Sequence, residues 1–193
     1  PTRACIEANA NVLARYAALC QEAGLVPVVE PEVLMEGDHD LQLCFDITEQ
    51  VLLTVFDQLY LQNVLLEGML LKPNMVMPGL QCKQRASVNE VADATIQCLL
   101  QSVPAAVGGI AFLSGGQSGE MASAHLNAMH VRHWSKLLWP LTFSFARAIQ
   151  QPAMSIWHGE ENNKHEAQQA LYHRAKCDDA ARRGEYTSAM EKA

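Results

Sequence analysis

Two kinds of apolar spacing alternate along this chain. In the Ala-rich stretch 7–23, Val12, Leu13, Tyr16, Leu19 and Cys20 recur at helical intervals, and Gly24 stands where a helix would stop. Residues 26–29 form a short apolar run closed by Glu30-Pro31-Glu32, which reads as a buried strand ended by proline. A polar loop, Glu36-Gly37-Asp38-His39-Asp40, comes next. Asp46-Ile47-Thr48-Glu49 then has capping-box spacing ahead of an apolar helical run over 51–61, and residues 65–71 return to a strand that delivers Lys72 to Pro73.

The same grammar then repeats. Pro78-Gly79 is a turn, Ser87-Val88-Asn89-Glu90 is a second capping-box pattern, and 91–100 is a helix. Residues 108–113 make a third strand running into Ser114-Gly115-Gly116-Gln117-Ser118 and a helix to about residue 129. A fourth strand, 141–145, ends near Arg147, a polar helix covers 160–183, and 184–193 is expected to be a flexible tail of a single domain spanning 1–193. Strand ends therefore fall at Glu30, Lys72, Ser114 and Arg147, at intervals of 42, 42 and 33 residues. Alternating strands and helices imply a parallel sheet, and continuous apolar runs imply strands covered on both faces. Polar residues at successive carboxyl ends mark the active-site face of a (β/α)8 barrel, and an open doubly wound sheet is the alternative. No G-x-G-x-x-G or Walker pattern points to a nucleotide fold.

Composition narrows the functional classes. The net charge of −7, with no basic cluster longer than Arg182-Arg183, argues against a nucleic-acid partner. No apolar run is long enough to cross a membrane, and the chain reads as soluble and cytoplasmic. Six cysteines at 5, 20, 44, 82, 98 and 177 lack C-x-x-C spacing and read as reduced core residues. No H-E-x-x-H occurs among the seven histidines, so no metal site is expected.

The candidate chemistry lies at the strand ends. Lys72 is either a lysine whose stem packs on apolar neighbours while its ammonium reaches water, or an amine desolvated enough to attack a carbonyl and form a Schiff base. Glu30 and Glu32, two apart on extended chain, face one side and supply either a structural ion pair or general acid/base groups beside that amine. The Ser114–Ser118 loop is an ordinary βα turn or, with Arg147 on the next strand end, a phosphate site: glycines admit close approach, a helix start offers N–H groups, and a guanidinium clamps phosphate.

With these residues assembled, the chain resembles class I fructose-bisphosphate aldolase, the metal-independent Schiff-base lyase. The resemblance covers almost the whole chain. It rests on Val28-Val29-Glu30-Pro31-Glu32, Gly37-Asp38-His39-Asp40, Leu66-Glu67-Gly68 with Leu70-Leu71-Lys72-Pro73-Asn74-Met75-Val76, and Phe112-Leu113-Ser114-Gly115-Gly116-Gln117-Ser118. It implies that Lys72 forms the imine with a ketose carbonyl, that Glu30 donates and accepts protons, and that Glu32 holds neighbouring charges. Ser114, Gly115 and Arg147 would bind a substrate phosphate. The implied glycolytic reaction is the reversible cleavage of fructose 1,6-bisphosphate to dihydroxyacetone phosphate and glyceraldehyde 3-phosphate, with no cofactor. The implied assembly is a homotetramer.

The resemblance also implies that this chain supplies the last four βα units of the (β/α)8 TIM barrel plus C-terminal helices. The other half of the family's barrel carries a substrate-orienting aspartate, two further active-site lysines and a phosphate-contacting arginine, so the isolated chain is expected to be poorly active. It is expected to be a partial copy of a longer protein, or to complete itself by dimerising. Two alternatives remain: a non-catalytic binding or scaffolding protein of the same fold, and a different Schiff-base lyase. The chain reads Ser144-Phe145-Ala146-Arg147 where the family commonly reads Ser-Tyr-Gly-Arg, and it ends in alanine where animal members end in tyrosine. Its tail is similar to that of microbial members.

Overall fold

The structure, a computed structural model, describes residues 1–192. Ten principal elements follow one another: α1 (Arg3–Glu22), β1 (Val28–Val29), α2 (Leu41–Leu61), β2 (Leu70–Leu71), α3 (Val88–Ser102), β3 (Ile110–Phe112), α4 (Gly119–His133), β4 (Leu141–Phe143), α5 (Arg147–Trp157) and α6 (Lys164–Ala181). The four strands form one parallel sheet in the order β1-β2-β3-β4, with Val29 opposite Leu71, Leu71 opposite Ile110, and Phe112 opposite Phe143. A doubly wound sheet reverses its strand order at a switch point. Here each strand adds beside its predecessor, which is the order of an arc of barrel. All three β3 residues are buried, whereas Val28 on the outer strand β1 is 40% exposed.

The core lies between this sheet and the helices. Leu52, Val55, Phe56 and Leu59 of α2, Val91, Ile96 and Leu99 of α3, and Leu126 and Met129 of α4 close over Val29, Leu71, Ile110 and Phe112. The helix in the first segment forms as expected but starts at Arg3, where the Thr2 side chain caps it by accepting from the Cys5 amide. Its buried face is not the one that the large apolar residues mark. Ile6, Ala10, Ala14 and Ala17 face inward, while Val12, Tyr16 and Leu19 are exposed. Small side chains let α1 lie close against α2.

Two expected boundaries shift. The 46–49 pattern caps nothing: Asp40 caps α2 through its carboxylate and the Leu43 amide (2.8 Å), and Asp46 instead accepts from Gln42 one turn back inside the helix. The Ser87–Glu90 box forms fully, with both reciprocal bonds present. Residues 65–71 are not one strand, since Leu66–Gly68 is a 3-10 turn that precedes a two-residue β2. Of the cysteines, all six are free, but Cys5 is exposed and Cys20 half-buried, and both lie outside the core. The segment expected to be a flexible tail makes contacts with the body of the fold as far as Glu191. The Tyr186 amide donates to Asn127 of α4, and Glu191 accepts from Tyr186 and from Arg174 of α6; Ala193 lies outside the described residues.

Candidate active site

Three backbone hydrogen bonds set the heights of the strand ends. The Lys72 amide donates to the Val29 carbonyl (2.7 Å), the Leu113 amide to the Pro73 carbonyl (3.1 Å), and the Ser144 amide to the Phe112 carbonyl (2.8 Å). The parallel strands therefore all end toward one rim, with Glu30, Lys72 and Ser144 one residue past the last paired residue of β1, β2 and β4, and Ser114 two residues past that of β3. On that rim the Lys72 ammonium lies 3.0 Å from Glu30 Oε1, the Lys72 side chain being 17% exposed and that of Glu30 42%. The amine is thus held at the end of a largely covered stem, beside a carboxylate that still reaches solvent.

Glu30 and Glu32 are both exposed, with buried Pro31 between them, the alternation of extended chain. Only Glu30 reaches the lysine; Glu32 has no ion-pair partner among the described residues. Ser114 is buried, and Gly115 and Gly116 follow with φ of +58° and +80°, left-handed backbone that an L side chain resists. A Cβ on Gly115 would also stand 3.3 Å from Met35.

Arg147 sits differently from its expected place. It is the first residue of α5 rather than the end of β4, it is exposed, and it has no side-chain partner among the described residues. The first turn of α5 has no side-chain cap, so its early N–H groups and the Arg147 guanidinium are available together. Ala146, in place of the family's glycine, has φ −100°, outside the left-handed region that favours glycine. Phe145 is buried, its ring 5.6 Å from that of Phe143.

What fastens this rim was not apparent from motif spacing. Asn74 is 2% exposed; its Oδ1 accepts from the Val33 amide (3.1 Å), and its Nδ2 donates to Thr48 Oγ1 and the Met75 carbonyl (both 3.2 Å). One side chain thereby ties the chain leaving β1, the chain leaving β2 and helix α2. Further out, Leu80 and Gln81 donate to the carbonyls of Met35 and Gly37, and Gly79 to that of His39, lashing the two loops together. A Cβ on Gly79 would stand 2.3 Å from the Gly37 carbonyl oxygen, so only glycine fits that crossing. The third loop joins through His125 of α4: its Nδ1 meets Gln117 Oε1 at 2.6 Å, and Gln117 Nε2 donates to Met75 Sδ at 3.6 Å. Burial pushes the His125 imidazole down to about 4, which keeps the ring neutral and fixes Nδ1–H as the donor. A buried asparagine immediately after Pro73 was the one available signal, since burying an amide implies that its bonds are made.

The comparisons with known proteins converge. The family model for fructose-bisphosphate aldolase class-I matches residues 1–193. The chain is 53% identical over 187 residues to a probable fructose-bisphosphate aldolase class 1 of Xanthomonas campestris, covering 96% of this chain and 55% of that protein. It is 52% identical over 188 residues to fructose-bisphosphate aldolase B of Gallus gallus, covering 97% and 51%. Among solved structures, fructose-bisphosphate aldolase from Plasmodium falciparum, in complex with TRAP and a small-molecule inhibitor, superposes with a TM-score of 0.93 at 42% identity, over 97% of this chain and 54% of that one. The chain spans about half the length of the curated relatives it matches.

Proposed function

This chain belongs to the class-I fructose-bisphosphate aldolase family, and we propose that its strand-end rim works in the reversible cleavage of fructose 1,6-bisphosphate through an imine on Lys72. The observation that carries the reading is the 3.0 Å approach of Lys72 Nζ to Glu30 Oε1 on neighbouring strand ends. An amine attacks a ketone only after losing a proton, and Glu30 is placed to take it. Attack at C2 gives a carbinolamine, and protonation of its hydroxyl by the Glu30 carboxylic acid expels water and leaves the iminium. The iminium draws the electron pair of the C3–C4 bond as a base removes the proton of the C4 hydroxyl. Glyceraldehyde 3-phosphate departs, and the enamine left on Lys72 takes a proton at C3. Water then hydrolyses the imine to release dihydroxyacetone phosphate and restore the amine.

The phosphate contacts fall to Ser114, the left-handed backbone at Gly115, and Arg147 with the uncapped first turn of α5. Glu32 shapes the charge around the pair without touching Lys72. No metal or cofactor is required by this chemistry. The place of the reaction in glycolysis, the cytoplasmic location and a homotetrameric assembly belong to the same reading, which has no role for nucleic acid or membrane. No helix among the described residues is long and apolar enough to cross a membrane.

A sheet of four strands leaves β1 and β4 each with one neighbour among the described residues, so the rim forms an arc and the 193-residue chain alone turns over poorly. Imine formation asks less of the protein than turnover, and this separates the two. Borohydride added with dihydroxyacetone phosphate should leave a stable mass adduct on Lys72, unaffected by chelators. An adduct elsewhere, or none, overturns the reading. Retention of the phosphorylated ligand without an adduct would instead identify a non-catalytic binding protein.

A further inference from the structure

Away from the rim, α6 and the docked C-terminal segment bring together three side chains of a kind that bind metal. The Nε2 of His173, the Sγ of Cys177 and a carboxylate oxygen of Glu191 all lie within 4.8 Å of one another. His173 and Cys177 are one turn apart on the same face of α6, and Nε2 and Sγ are 3.7 Å apart. Usual zinc bond lengths put sulfur and nitrogen ~3.6 Å apart across a tetrahedral edge. The pair thus already has the spacing of two ligands on one ion. The third comes from outside the helix, on the short 3-10 segment Ser188–Lys192.

Glu191 is oriented in advance. Arg174 Nη1 donates to Oε2 at 2.6 Å and the Tyr186 hydroxyl to Oε1 at 2.8 Å. Two carboxylate oxygens offer about four lone-pair sites, so both bonds can persist while one oxygen turns a free lone pair toward an ion. Outer-shell donors of this kind hold ligands in place at metal sites. The charge also suits a dication. Arg174, Asp178 and Glu191 together carry a formal −1 in this pocket, and a dication bound to a Cys177 thiolate brings the sum to zero. One imidazole, one thiolate and one carboxylate form a borderline-soft donor set, which suits zinc and leaves a fourth position for water.

We propose that His173, Cys177 and Glu191 form a three-ligand site for a zinc-class divalent cation that fastens the C-terminal segment 188–192 to α6. The site does not involve Lys72, and its role is to clamp the segment. The test uses the full chain, cobalt as the optical probe and zinc as the competitor. Cobalt should raise a near-ultraviolet thiolate-to-metal charge-transfer band, which zinc displaces. The band should vanish in Cys177→Ser, persist in Cys5→Ser and Cys20→Ser, and zinc binding should weaken roughly tenfold or more in His173→Gln. His173 is only half-buried, so that variant keeps the test meaningful should the change at the buried cysteine disturb folding. Zinc should also slow tryptic cleavage after Arg183 in the wild type and not in His173→Gln. No band in the wild type, survival of the band in Cys177→Ser, or equal zinc affinity in wild type and His173→Gln overturns the proposal.

Discussion

Two clusters of opposite charge occupy this molecule under different solvation. At the strand-end rim, Lys72 and Glu30 meet at 3.0 Å with one side open to water. Beneath α4, Arg174 (4% exposed) reaches Glu191 and Ser123, and Ser123 Oγ donates at 2.5 Å to Asp178, which is fully buried. Burial pushes the Asp178 carboxyl up to about 6, against the pull of Ser123 and Arg174. At Glu191 burial also works upward, but the bonds from Arg174 and Tyr186 outweigh it and hold the carboxyl below the ordinary range. The buried cluster is held away from water among its own members. The rim pair is open on one side, which on the proposed reading leaves a substrate carbonyl room to replace the carboxylate beside the amine.

The sharpest way to break that contrast is to remove one cation from each cluster. Lys72→Met should abolish the borohydride adduct completely, yet cost only ~1 kcal/mol or less in urea unfolding, because Glu30 remains solvated. Arg174→Met should do the reverse, leaving the adduct on Lys72 in the folded fraction while costing about 3–5 kcal/mol by stranding two carboxylates. That loss corresponds to roughly ten degrees in Tm for a chain of this size. If Lys72→Met unfolds the chain, or Arg174→Met leaves its stability untouched, the two clusters do not divide chemistry from structure.

The two regions also differed in how far the sequence revealed them. Rim residues lie at strand ends: an apolar run breaks into a charged residue and proline at Glu30 and Lys72 and into Ser-Gly-Gly at Ser114, so these three could be placed by counting. Arg147 was placed at the end of β4 because nothing in Ser144-Phe145-Ala146-Arg147 signals a helix start; the first turn of α5 has no capping side chain to read. In α1, large apolar residues suggested the inner face, but close helix packing selected Ala10, Ala14 and Ala17. The buried cluster was illegible for a related reason. Arg174 and Asp178 sit in a stretch whose polarity suggested a solvated helix, and their burial depends on Ser123, 51 and 55 residues away, and on Glu191 from a segment expected to be flexible.

Asn74 sharpens the comparison from the other side, because it gives the open rim a buried support. Asn74→Ala would leave the Val33 amide and its other partners without their bonds, at a cost of about 1–3 kcal/mol. It should also slow imine formation well beyond what that loss of folded protein explains, since Glu30 and Lys72 lose their common tie. Borohydride trapping under conditions where the variant is fully folded measures this. Unchanged trapping would mean that the backbone ladder alone sets the rim.

The last effect is absent near neutral pH and separates the clusters only as pH is lowered. His125 belongs to the rim's support and Asp178 to the buried cluster, and both are shifted by burial. An unfolded histidine takes up its proton near 6.5, whereas folded His125 resists to about 4. Over that window the unfolded state holds more protons, so the stability contributed by His125 is complete above 6.5 and declines as pH falls, by up to about 1.4 kcal/mol per pH unit. Asp178 runs the other way: its folded carboxyl binds a proton near 6 while the unfolded one waits until about 3.8, so its contribution is lost as pH rises through 6. The two slopes oppose each other between about pH 4 and 6, and the wild type should look flatter there than either group alone would make it. His125→Asn retains an N–H for Gln117 but cannot titrate. Its urea midpoint should therefore gain on the wild type steadily as pH is lowered from 6.5 to 4, with Asp178 cancelling in the difference. Parallel curves for the two proteins would show that His125 does not enter the native state neutral, and that the Gln117 contact is not held by an uncharged ring.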